Sequence, residues 1–221
     1  MSALLLGSMS TLSDTSELQR AAFNEAFRTH GLDWQWDRAI YQGLLRNSGG
    51  GDRIADHAAN LGQQVDAAAL HDTKSELFQA QLAKGNLPLR PGVVDTIRQA
   101  RDAGLRVALV TTTSPRNVAA LLDGLGPALR RADFDLVLDA SDVQEGKPDP
   151  ESYQLAMRRL GESPASCVAV EDNAPGLAAA VAAGISSIAF PNGNTADHEF
   201  AGAHRHVTRL DLSDVMAAFD R

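Results

Sequence analysis

The chain has 221 residues, 44% of them hydrophobic, with 28 acidic against 20 basic residues for a formal net charge of −8. That is enough chain and apolar content for one large folded domain, or a core with a smaller insertion. The charge argues against a nucleic-acid backbone or an anionic lipid as main partner and leaves a small anion compatible. A single cysteine, Cys167, excludes an intrachain disulfide. The apolar run Ala3 to Leu6 lacks the length and basic flank of a signal peptide, and no window approaches the ~20 apolar residues of a bilayer span. The cytoplasm is therefore the expected compartment.

Leu4-Leu5-Leu6 reads as a short buried strand running into a glycine and serine turn, Gly7 to Ser10. Asp14 with Glu17 three residues on has the form of a capping box. Leu18, Ala22, Phe23, Ala26 and Phe27 then make an apolar stripe at helical spacing, closed by Gly31. Trp34, Trp36, Ile40, Tyr41, Leu44 and Leu45 predict a second helix, and Gly49-Gly50-Gly51 a break before a third at Ile54 to Leu61. A fourth is expected from Ala67 to Lys84. No strand pattern occurs in this block, which predicts a helical subdomain inserted after the first strand.

From Arg90-Pro91-Gly92 the texture alternates between helix and strand. Val93 to Ala103 ends at Gly104 before the strand Leu105 to Val110. Leu155 to Leu160 ends at Gly161 before Cys167 to Val170, and Leu177 to Ala183 ends at Gly184 before Ile185 to Phe190. Phe134 to Leu138 adds another strand. A glycine past each helix supplies a left-handed cap, and continuous apolar strands imply burial on both faces. The fold predicted is an α/β doubly wound parallel sheet carrying an α-helical cap.

Three strand ends carry polar groups. Thr111-Thr112-Thr113-Ser114 after Val110 offers hydroxyls and N–H groups to phosphate oxygens, or simply caps the next helix. Lys147, in Gly146-Lys147-Pro148-Asp149-Pro150, is either a point charge for phosphate or a solvated turn lysine. Glu171-Asp172-Asn173 ends a buried strand in two carboxylates that call for a cation or a lysine, or else caps a helix.

In this order, the strand with Thr11-Leu12-Ser13-Asp14, then Thr111, Lys147 and Glu171-Asp172 closely resemble the haloacid dehalogenase superfamily of phosphotransferases over essentially the whole chain. Leu32 to Arg38, Gly49-Gly50, Leu89 to Gly92 and His198 to Ala203 are similar to its CbbY-like group of sugar-bisphosphate phosphatases. The resemblance implies a core of residues 1–14 plus 89–221 and a helical cap of 15–88. It implies Thr111, Thr112 and Lys147 on the phosphate, Asp172 with Glu171 on Mg²⁺, and cap residues Arg53, His71 and Lys74 at the sugar end.

The departure lies in the opening turn. The family pattern Asp-x-Asp-Gly-Thr-Leu places Gly7 at the nucleophile, Met9 at the general acid/base and Ser10 at the glycine. Gly7 removes the attacking carboxylate together with a metal ligand, and Met9 removes the proton donor. Asp14 is too far along to replace either, and the sequence shows no base for Ser8 or Ser10. The reading ranked first is a catalytically impaired homologue that binds a small phosphorylated metabolite or acts through a protein partner the sequence does not identify, with Mg²⁺ weak or absent. An active phosphatase with a non-standard nucleophile ranks second and a purely structural protein third.

Overall fold

In the computed structural model, which describes residues 2–47 and 49–220, six strands form one sheet in the order β3-β2-β1-β4-β5-β6 with every pairing parallel. They are β1 (Ala3–Leu6), β2 (Arg106–Val110), β3 (Leu136–Leu138), β4 (Cys167–Glu171), β5 (Ser186–Ala189) and β6 (Arg205–His206). β1 is central: Leu6 stands opposite Leu109 on one side and Val170 on the other. All four of its residues are fully buried, and burying each leucine side chain contributes roughly 1.5–3 kcal/mol.

The helices are α1 (Met9–Leu12), α2 (Ser16–Thr29), α3 (Arg38–Leu44), α4 (Gly50–Asn60), α5 (Ala67–Leu82), α6 (Val93–Asp102), α7 (Pro115–Leu125), α8 (Glu151–Leu160), α9 (Ala174–Ala182) and α10 (Leu212–Ala217). Alternate strand residues serve opposite layers. Leu4, Leu6, Val107, Leu109, Val168 and Val170 pack with α6, α7 and α10, while Ala3, Leu5, Ala108, Val110, Cys167 and Ala169 pack with α8 and α9. The continuous apolar strands are thus covered on both faces, as their composition requires. The three helix-to-strand glycines, Gly104, Gly161 and Gly184, all take positive φ, between 67° and 81°.

Helices α2 to α5 form a second layer of packing, with Phe23, Phe27, Trp34, Trp36, Tyr41, Ile54 and Leu70 as its own aromatic-rich cluster. α5 belongs to both layers, because Phe78 and Leu82 at its far end join the sheet's cluster. Arg38 of α3 reaches back to Asn194 Oδ1 (3.0 Å) and the Gly193 carbonyl (2.9 Å).

Several local expectations are corrected. The capping box does not form: Asp14 accepts from the N–H and hydroxyl of Ser16, and Glu17 is drawn instead to Arg20 and Asn194. The second helix begins at Arg38, where Asp37 caps it by accepting from Ile40 N at 2.8 Å; Trp34 and Trp36 lie before it, Trp34 edge-on to Phe27 and Trp36 tilted against Phe23. Gly50 and Gly51 lie inside α4 and only Gly49 breaks the chain, at φ 85°. The turn after Gly7 is a helical one, α1, and β6 and α10 were not anticipated.

Candidate functional site

The carboxyl ends of β1, β2 and β4 meet where the strand order reverses, the place at which open α/β sheets bind ligands. Gly7 leaves β1 with its N–H on the Val170 carbonyl (2.9 Å). Ser8 then caps α1, accepting from Thr11 N at 3.3 Å, and Met9 is buried.

Beneath this turn lies Lys147. Its ammonium has three N–H groups, and it meets the carbonyl oxygens of Gly7 and Val110 (2.7 Å for the latter) and Glu171 Oε1 (2.6 Å). The Tyr153 hydroxyl donates to the same Glu171 oxygen at 2.7 Å, and the Tyr153 ring lies 4.6 Å from the ammonium. Glu171 is 0% exposed and its second oxygen is buried with no hydrogen-bond partner among the described residues. Burial pushes the Glu171 carboxyl above its ordinary value, against the opposing pull of Lys147. Burial and the neighbouring Glu171 hold the Tyr153 hydroxyl well above its own.

The Glu171 carboxylate fills space that two glycines leave open. A Cβ built on Gly7 would fall 2.1 Å from Glu171 Oε1 and 2.3 Å from the Tyr153 hydroxyl, and one on Gly176 would fall 2.3 Å from Glu171 Oε2.

Asp172 points the other way, into a cavity. Its Oδ1 accepts from Ser8 Oγ and from Asn173 Nδ2 (3.0 Å), its Oδ2 from Asn192 Nδ2 (2.8 Å), and its main-chain oxygen from Thr195 Oγ1 (2.5 Å). Asn173 also caps α9, accepting from Gly176 N at 2.9 Å. A hard divalent cation wants several oxygen ligands. Here the Asp172 oxygens face N–H and O–H donors, Glu171 is turned onto Lys147, and the Gly7 carbonyl accepts from Lys147 as well. This donor set does not fit such a cation.

The Asp172 cavity has a volume of about 340 Å³. Ser8, Met9 and Asp172 line its floor, Thr111 to Ser114 one wall, and Tyr41, Arg53, His71 and Lys74 the helical side. Ser114 caps α7, accepting from Asn117 N at 3.3 Å, and Thr111 Oγ1 accepts from Thr113 N at 3.3 Å, so the hydroxyl loop sits at a helix N-terminus. Lys147 lines a second cavity of about 630 Å³ that shares Asn47, Gly49 and Thr112 with the first. Thr111 and Asp172 therefore share one cavity, and Lys147 lies beside it, joined to Asp172's neighbour Glu171.

On the helical side Arg53 donates to the carbonyls of Leu44 (3.0 Å) and Asn47 (2.7 Å), and burial lowers its pKa. His71 packs where Gly50 leaves room for it, and burial, with Lys74 beside it, lowers its pKa. Lys74 is buried between the rings of Phe23 (4.7 Å) and Phe78 (5.0 Å) and donates to Gln19 Oε1 at 3.1 Å. Burial, then the charge of Arg53, pushes its ammonium down to about 7.

Sequence reasoning missed Tyr153 and the Asn192 to Thr195 turn. The turn follows β5, so the rule that polar residues after a buried strand line the site applied there as well. Tyr153 gave no signal of its own, since a tyrosine six residues past Lys147 reads as ordinary helix core.

Residues 9–184 match the haloacid dehalogenase-like hydrolase family. Protein CbbY of Cereibacter sphaeroides is 43% identical over 206 residues, covering 92% of this chain and 90% of that protein. The crystal structure of a CbbY variant from Rhodobacter sphaeroides in complex with xylulose-(1,5)bisphosphate superposes with a TM-score of 0.86 at 41% identity, covering 95% of this chain and 94% of that one. CbbY from the same organism in complex with phosphate superposes at 0.85 with 39% identity, covering all of both chains.

Proposed function

Since the chain belongs to the haloacid dehalogenase-like hydrolases, we propose that it is a non-hydrolytic member, one that binds a small phosphorylated metabolite between an α/β core (1–14 plus 89–221) and a helical cap (15–88) without cleaving it. The observation that carries this reading is the carboxyl end of β1. In the family mechanism the first aspartate of Asp-x-Asp attacks phosphorus and ligates Mg²⁺, and the second protonates the leaving oxygen. The residues at those positions are Gly7 and Met9.

Neither side chain offers an attacking oxygen or an acidic proton. Loss of a general acid alone typically costs 10²- to 10⁴-fold in rate, and loss of the nucleophile removes the covalent route itself. The space beside Gly7 holds Glu171 and Tyr153, and Glu171, pinned by Lys147 and fully buried, does not open onto the Asp172 cavity. Family phosphatases generally use Mg²⁺. The residues present at the strand ends do not fit it, so ligand binding here proceeds without a metal-dependent step.

The ligand class is supported by the sugar bisphosphate and phosphate bound by the two related structures. In this reading Thr111, Thr112 and the α7 N-terminus hold the phosphate, with Lys147 supplying positive charge from beneath, and Arg53, His71 and Lys74 meet the sugar end. One observation favours a second reading, an active phosphatase with Ser8 as nucleophile: Ser8 Oγ donates to Asp172. The Asp172 oxygens already accept from Asn173 and Asn192 as well, so they are committed to other donors and this reading ranks below the first.

The test pairs phosphate release with ligand binding. The expected result is no Mg²⁺-dependent release above background from sugar phosphates or an activated aryl phosphate, together with a rise in melting temperature as sugar bisphosphate is titrated. Turnover that survives repurification, requires Mg²⁺ and disappears in Asp172→Asn overturns the non-hydrolytic reading.

A further inference from the structure

The chain carries three lysines, and their surroundings differ sharply. Lys84 is exposed and bonds Gln81 at 2.7 Å, while Lys147 is buried and paired with Glu171 at 2.6 Å. Lys74 is buried with no carboxylate at ion-pair distance among the described residues. Its polar neighbour is the neutral amide of Gln19, two aromatic rings enclose it, and Arg53 stands with it on the same cavity wall. An amine so desolvated, without a counter-charge and beside a guanidinium, is held toward its free base, and a free amine attacks carbonyl carbon. The lowering of Lys74 to about 7 agrees with that geometry. His71 lies three residues earlier on α5, hence on the same helical face, and lines the same cavity.

We propose that Lys74 captures the carbonyl carbon of an open-chain phosphorylated aldose or ketose, forming a carbinolamine and then an imine. This rests on the binding reading above and deepens it. The lone pair of Nζ forms the C–N bond as the C=O π pair moves onto oxygen, and a proton passes from the nitrogen to that oxygen through His71. A second proton, taken up from water and relayed by His71, lets the oxygen leave as water. The C–O bond breaks and a protonated imine remains, with nothing oxidised or reduced. Retention of an open-chain sugar in this way requires no metal and no carboxylate at positions 7 or 9, the two features the site lacks.

The test uses the whole chain, wild type and Lys74→Arg, incubated at neutral pH with glyceraldehyde 3-phosphate and cyanoborohydride, which fixes an imine as a secondary amine. Each lysine peptide is then followed by mass spectrometry. The expected result is modification of Lys74 about tenfold faster than of the exposed Lys84, as a desolvated nucleophile requires. That preference is reduced with unphosphorylated glyceraldehyde and abolished in Lys74→Arg, with the rate at Lys84 unchanged. Modification of Lys84 at the same rate as Lys74, or ahead of it, overturns the proposal. Melting titrations with the same sugar phosphate and no reductant separate the two readings. A rise in melting temperature without a Lys74 adduct removes covalent capture alone, and absence of both removes capture and binding together.

Discussion

Replacing Gly7 tests whether the Glu171 carboxylate holds the space that a side chain at position 7 would use. Gly7 has no positive φ, so the backbone itself accepts alanine or aspartate there. The obstacle is a Cβ placed 2.1 Å from Glu171 Oε1 and 2.3 Å from the Tyr153 hydroxyl, where ordinary contact begins at 3.4 Å. Relieving it requires the carboxylate to retreat by more than an ångström, yet it is fixed by Lys147 at 2.6 Å and Tyr153 at 2.7 Å, and both partners are buried. Overpacking of this kind costs about 1–3 kcal/mol, and separation of the buried ion pair raises that toward 3–5 kcal/mol. Gly7→Ala is therefore expected to lower stability by about 2 kcal/mol or more, read as a shift of the urea midpoint at constant slope. In a chain of this size that corresponds to about 4–8 °C in melting temperature. Gly7→Asp is worse, because it sets two carboxylates beside one lysine. Glu171→Ala is expected to rescue Gly7→Asp in part, since it vacates the space and lets the introduced carboxylate pair with Lys147, so the two changes are strongly non-additive. A Gly7→Ala protein within about 0.5 kcal/mol of wild type, the range of neutral surface changes, refutes this account, as does simple additivity in the double variant.

Lys147→Met should destabilise the protein more at neutral pH than at pH about 4.5. The folded-state pKa of Glu171 is raised, so its favourable contribution is full below the unfolded value of 4.5 and is lost as pH rises through the folded value, a loss that Lys147 limits. Equal stability differences in urea titrations at the two pH values would remove the pair as the cause. For Lys74 the sign is opposite to a salt-bridged lysine: its folded pKa is lowered from 10.5 to about 7, so the folded state binds fewer protons between those values and stability gains as pH rises through them. Wild type should therefore gain on Lys74→Met between pH about 7 and 9, and parallel pH profiles of the two would count against a desolvated, unpaired amine at that position. Mg²⁺ at millimolar concentration should leave the melting temperature unchanged, and an Asp172-dependent rise would show that the strand-end donors rearrange to hold it.

Much of the fold was legible because its determinants are local. The glycine junctions at 104, 161 and 184, the apolar strands between them and the helical stripe from Leu18 to Phe27 each need only their own stretch of chain, and all stand in the structure. The capping box at Asp14 and Glu17 failed for the complementary reason: its energy is about that of one or two hydrogen bonds, and Arg20 with the distant Asn194 offered Glu17 better ones. Only tertiary structure decided which acid Lys147 meets, that Tyr153 joins them, and that Asn192 and Ser8 occupy the oxygens of Asp172. Those partners lie up to 164 residues apart in sequence, and they meet because a parallel sheet delivers every carboxyl end to one edge. Sequence alone determined which groups arrive at that edge. How they pair was decided by burial, because a charge removed from water must be answered by whichever donor or acceptor the packing brings within reach.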